Sequence, residues 1–145
     1  MPSNLHPLVV HFPIALLTLA AFCEIFARLS GRESLRTTAY WNLVFGAIFA
    51  AVAVATGLFA ENQAPKTGSV HEAVESHEFS AFITLALFAI IFLWRVVREG
   101  EFYKKFSMIF LCAMIVAWFS LAVTSYYGGE LVYKHGVGAA KQKVE

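Results

Sequence analysis

The sequence predicts an all-α integral membrane protein, an up-down four-helix bundle with both termini on the extracytoplasmic side. Three observations carry this reading. The chain is 59% hydrophobic and only 14% charged over 145 residues, with no Asp, far too apolar for a water-soluble domain of this size. Four apolar stretches each approach the roughly 20 residues needed to cross a bilayer core. Lys and Arg are distributed unevenly between the two ends of these stretches.

The first helix is expected over about residues 7–29. His6-Pro7 resembles a helix opening, where the missing proline N–H costs nothing. The stretch lacks a basic start and a small-residue cleavage site, so it does not read as a cleavable signal. Pro13 removes the bond to the Val9 carbonyl and predicts a kink. Glu24, near the inner end, is expected to snorkel and pair with Arg28 one turn on. The second helix is expected over 40–60, where Gly46, Ala47, Ala50, Ala51, Ala53 and Gly57 permit close helix contact. The third is expected over 70–98, opened by a Ser69-x-x-Glu72 capping box. The fourth is expected over 105–135, running through Gly128-Gly129 to His135 with Gly136 as a left-handed stop. Residues 136–145 read as a flexible tail of this single domain.

Orientation follows from charge. Arg28, Arg32, Arg36, Arg95, Arg98, Lys104 and Lys105 lie between helices 1 and 2 or 3 and 4, seven against four on the other side: Lys66, Lys134, Lys141 and Lys143. The basic loops are therefore expected in the cytoplasm. Tyr40, Trp41, Trp94 and Tyr103 form the expected inner aromatic belt, and Tyr126, Tyr127 and Tyr133 the outer one. Cys23 and Cys112 fall inside spans and read as small apolar packing groups. A net charge of +1 gives no argument for nucleic acid as a partner. No Walker sequence, Gly-rich nucleotide loop, lipidation signal or internal repeat is legible.

All five histidines, His6, His11, His71, His77 and His135, fall at the outer face under this topology. His11 and His77 are expected deep, and His6, His71 and His135 nearer the surface. A histidine inside an apolar span needs a partner and is a functional candidate by default. Three chemistries suit the cluster. Haem b can be held in a bundle by imidazoles on facing helices, with one or two haems for two or four ligands. A Zn, Cu or Fe ion can be held by imidazoles with Glu130 or Glu78, although no tight motif such as His-Glu-x-x-His is present. Histidines can also handle protons near neutral pH. Widely separated histidines suit a flat ligand better than a compact ion. Glu130 reads either as the partner of Lys134 or as an acceptor orienting a ligand imidazole.

The segments His6-Pro7-Leu8-Val9-Val10-His11-Phe12-Pro13-Ile14-Ala15-Leu16 and Gly128-Gly129-Glu130-Leu131-Val132-Tyr133-Lys134-His135-Gly136-Val137-Gly138 carry a resemblance. They resemble the opening and closing signatures of the bacterial membrane family catalogued as domain of unknown function 2231. Thr56-Gly57-Leu58 and His77 also match its pattern, and the resemblance covers nearly the whole chain. It implies a four-helical bacterial membrane protein; with the orientation read from charge, the expected location is the bacterial cytoplasmic membrane with the histidine cluster on the periplasmic side. It supports haem binding, with His6, His11, His77 and His135 as the matching histidines and iron axial-ligand candidates, and His71 in reserve.

The expected function is thus a membrane b-type cytochrome or haem-binding subunit for electron transfer. It would sit in the lipid bilayer beside redox partner proteins or as a homodimer. No acid-base pair or nucleophile constellation predicts turnover by this chain alone. The alternative is a non-redox bundle with a transition-metal site, or a structural subunit of a larger membrane complex.

Overall fold

A computed structural model describes residues 5–61, 68–97 and 107–137. The described residues are helical almost throughout: α1 (Leu5–Val9), α2 (His11–Ser30), α3 (Glu33–Glu61), α4 (Ser69–Val97) and α5 (Ser107–Tyr133). α1 and α2 together make the first of four segments long and apolar enough to cross a membrane, and α3, α4 and α5 supply the other three. The chain is a membrane-spanning helical bundle. Large apolar side chains such as Phe22, Phe59, Ile90 and Phe119 are exposed on its outside, as expected of helices whose solvent is lipid.

The local signals explain most helix ends. The first span is interrupted at Val10, four residues before Ile14 and next to the Val9 carbonyl that Pro13 cannot bond. Gly31, with φ 68°, closes α2 through its N–H on the Ala27 carbonyl at 2.8 Å. α3 starts at Glu33, well before the expected residue 40. Nothing between Glu33 and Tyr40 breaks a helix, and Arg36 donates to the Glu33 carboxylate at 2.6 Å within the first turn. α4 already includes Ser69, so the anticipated capping box does not open it. Gly68, at φ 78°, instead accepts the N–H groups of His71 and Glu72. α5 runs through Gly128-Gly129 and ends in the anticipated glycine stop. Gly136 has φ 65° and its N–H donates to Val132 O, the αL form of helix stop, while the Val137 N–H donates to Leu131 O. The end of the third span at residue 98, the start of the fourth at 105 and most of the expected flexible tail lie outside the described residues.

α2 packs chiefly on α3 and α4 on α5, while α3 meets α4 and α2 meets α5. The core is filled by Leu17, Leu43, Phe88, Phe110 and Met114. Those side chains reveal a repeat that the residues alone did not. Positions 71 apart play equivalent parts in the two halves: Leu17 with Phe88, Ala20 with Ile91, Ala39 with Phe110, Leu43 with Met114 and Ala50 with Leu121 are all buried. The first half (α1–α3) and the second (α4–α5) are therefore two copies of one helical hairpin, and the expectation of no internal repeat is corrected. Glu24 also departs from expectation. It is only 6% exposed, because it continues the inward stripe Pro13, Leu17, Ala20 and Ala27 instead of reaching out to snorkel.

Candidate functional site

The start of α1, the end of α3, the start of α4 and the end of α5 meet at one end of the bundle, and two of the five histidines converge there. His6 and His77 have ring centroids 6.4 Å apart and ring planes at 72°. The depth assignment that separated them is thereby corrected. The break at Val10 sets α1 as its own short helix, and His6 lies level with His77.

Each ring is held in the same way. His6 Nδ1 donates to the Ala53 carbonyl at 3.0 Å and lies 3.2 Å from Thr56 Oγ1. His77 Nδ1 donates to the Thr124 carbonyl at 3.1 Å. Donor and acceptor are 47 residues apart in both cases. A carbonyl can only accept, so both imidazoles carry a proton on Nδ1, and in the neutral ring Nε2 is then the nitrogen with a lone pair. This is the tautomer a metal-ligating histidine adopts when its other nitrogen bonds a backbone carbonyl.

A glycine faces each ring. A Cβ at Gly57 would lie 3.1 Å from His6 Cε1, and a Cβ at Gly128 would lie 3.1 Å from His77 Cε1. Gly57 and Gly128 are themselves equivalent in the repeat. The closing glycines thus have a specific duty, to let an imidazole sit flush against a helix backbone. Gly129 faces open space.

The polar floor of the site lies in the second half. Thr84 Oγ1 is 2.7 Å from Ser120 Oγ and 2.9 Å from Thr124 Oγ1. Ser80 Oγ donates to the His77 carbonyl at 2.8 Å. Trp118 Nε1 donates to Thr18 Oγ1 at 3.3 Å. The few hydroxyls inside the spans therefore bond to one another and to helix carbonyls.

The other candidates stand apart from the pair. His11 is exposed, and its Nδ1 donates one turn back to Pro7 O of α1, 2.7 Å away. His71 is partly exposed, with Nε2 3.5 Å from Glu75 on the same helix. His135 lies in the turn after α5. Glu130 accepts from Lys134 Nζ at 2.7 Å, and this hydrogen bond holds the Lys134 ammonium above the usual lysine pKa. The acceptors that orient the two paired imidazoles are backbone carbonyls. Among the described residues, no group of three or more His, Cys, Asp or Glu side chains is arranged to hold a metal ion.

Imidazole nitrogens sit about 2 Å from a bound metal, so two trans imidazoles hold their ring centres about 6 Å apart, and a tetrahedral angle brings them to about 5 Å. The observed centroid separation is 6.4 Å, with the ring planes steeply inclined. The groups the pair offers are two imidazole rings, each with Nδ1 bonded to a carbonyl of a facing helix.

A family model described as a predicted membrane protein (DUF2231) matches residues 2–141. No curated protein and no solved structure matches the chain.

Proposed function

We propose, for a chain that belongs to the DUF2231 family of predicted membrane proteins, that His6 and His77 are the two axial ligands of one haem b and that the protein is a membrane electron-transfer cytochrome. One observation carries the reading: two imidazoles from opposite halves of the bundle, Nδ1 on a carbonyl in each, with centroids 6.4 Å apart. The group supplies one-electron chemistry when bound. The chain supplies two neutral nitrogens, two carbonyls that fix ring orientation and raise ligand basicity, and two glycines that clear the space beside the rings. Were both imidazoles to hold the iron, the protein would leave no coordination site for substrate, which favours electron transfer over turnover.

With His6 and His77 as the ligand pair, the proposed stoichiometry is one haem per chain, and His11, His71 and His135 are left without a ligand role. The excess of Arg and Lys in the loops at the other end of the bundle supports a bacterial cytoplasmic-membrane protein with the pair near the periplasmic face.

The test is the absorption spectrum of the detergent-purified protein, oxidised and dithionite-reduced, with a pyridine haemochrome count. Sharp reduced α and Soret bands at one haem b per chain, lost in His6→Ala and in His77→Ala, are expected. A protein that stays colourless when produced with ample haem refutes the reading.

A further inference from the structure

The two hairpins are alike in the core and differ on one lipid-facing groove. In the second half, α4 and α5 leave a cavity of about 380 Å³, lined by Ser76, Phe79, Ser80, Ile83, Ser120 and Tyr127 among others. The equivalent positions of the first half are Leu5, Leu8, Val9, Phe12, Phe49 and Thr56. There the same place is taken up by Phe12 and Phe49, stacked with centroids 4.9 Å apart and planes at 16°. One copy of the repeat has thus closed its groove with two aromatic rings. The other has opened it by carrying Ile83 and Ser120, and has replaced Leu5, Val9 and Phe49 with serines.

We propose that this groove binds the ring of a lipid-soluble quinol. Its size lies within the range of small-molecule sites, and it opens on the exposed side chains that meet the bilayer, so its occupant arrives through the hydrocarbon. The hydroxyls specify a donor. Ser76 Oγ donates to Glu72 O at 2.9 Å and Ser80 Oγ donates to His77 O at 2.8 Å, which leaves both with lone pairs to offer. A quinol presents O–H groups on a flat ring, and Phe79 and Tyr127 give that ring aromatic surface to lie on. The groove also touches the histidine site. Ser76 precedes His77, Ser80 bonds its carbonyl, and Ser120 joins Thr84 and Thr124, whose own carbonyl holds the His77 ring. The choice of a quinol over another small amphiphile rests on the electron-transfer reading above.

The test uses the full-length protein in phosphatidylcholine vesicles and a short-chain quinol carrying a photoreactive azide. Labelling is mapped by mass spectrometry with and without a short-chain quinol competitor, and with decanol as a tail-only control. The expected result is label on the groove-lining residues of α4 and α5, competed by the quinol and not by decanol. It should fall at least tenfold in Ile83→Phe/Ser120→Phe, which rebuilds the aromatic pair of the first half. Ser76→Ala/Ser80→Ala, which removes both hydroxyls and adds no bulk to the lining, should weaken it and serves where the double Phe variant does not fold. Label elsewhere, label retained in both variants, or competition by decanol as strong as by quinol overturns the proposal. Labelling needs no iron. A colourless protein that labels the groove leaves only the cytochrome reading refuted, and a cytochrome that does not label leaves only the quinol site refuted.

Discussion

Replacing Gly57 or Gly128 with Ala probes the histidine pair without touching a ligand. The added methyl would stand 3.1 Å from Cε1 of His6 or of His77, closer than ordinary carbon–carbon contact at about 3.5–4.0 Å. The helix backbone is fixed by its own bonds, so the ring yields by a few tenths of an ångström. It can yield only by straining its Nδ1 bond, 3.0 Å long in one half and 3.1 Å in the other. Disturbing such an orienting bond costs about 10–100-fold in metal affinity, equivalent to about 1.4–2.8 kcal/mol. Stability should move the other way, because Ala favours a helix over Gly by about 1 kcal/mol. Haem titration of the apo-protein in detergent, with electron paramagnetic resonance of the ferric form and thermal unfolding of the same samples, separates the two effects. The expected result is weakened binding and shifted g-values in an unimpaired fold, of similar size for Gly57→Ala and Gly128→Ala. Silence in both, or a large effect in one and none in the other, refutes the paired-ring geometry.

Other substitutions have definite outcomes. His11→Ala, His71→Ala and His135→Ala should leave the reduced spectrum unchanged, in contrast to His6→Ala and His77→Ala; loss of the α band in any of the three would place a ligand outside the pair. Thr56→Ala removes the second neighbour of His6 Nδ1 at 3.2 Å and spares the Ala53 carbonyl, so titration should show a loss of about 0.5–1.5 kcal/mol, well short of ligand removal. Imidazole binds metal only when deprotonated, so acid must weaken haem retention, and the fraction of haem held should fall with decreasing pH with up to two protons taken up per haem released. Phe88→Ala empties the centre of the core, where the side chain is fully buried; a loss of about 3–5 kcal/mol should appear in detergent or denaturant unfolding, with the spectrum of the folded fraction retained.

The sequence made some of this legible and hid the rest for physical reasons. Four spans and their gathering of histidines at one end follow from apolar length and chain direction. The Gly136 stop follows from the need for positive φ after a helix. The choice between His6 and His11 did not follow from depth, since His11 lies further inside the apolar stretch. The break at Val10 puts the two on separate helices, and only His6, on α1, is turned toward the facing helices, bonding the Ala53 carbonyl while His11 bonds back to Pro7. The signal was present in the spacing. His6, Pro13, Leu17 and Ala20 repeat the steps of His77, Thr84, Phe88 and Ile91, and the structure buries the last three of each set. The repeat itself was obscured because lipid-facing and core positions are all apolar, so equivalence rests on scattered identities: His6 and His77, Ala15 and Ala86, Ala51 and Ala122, Val52 and Val123, Gly57 and Gly128. Shared burial and the shared 47-residue hydrogen-bond span expose it. Glu24 misled for a related reason, since composition gives a carboxylate's depth but not which way it faces.

A pair of matched clamps has a consequence for whatever flat molecule they hold. Each face of a flat guest bound between the two rings would meet an imidazole, a carbonyl-anchored ring edge and a glycine at similar separations. A guest without mirror equivalence between its faces can therefore enter either way round at nearly equal cost, and the site imposes no heading by itself. Only the unlike flanks, two stacked phenylalanines on one side and a serine-lined hollow on the other, can tell the two insertions apart.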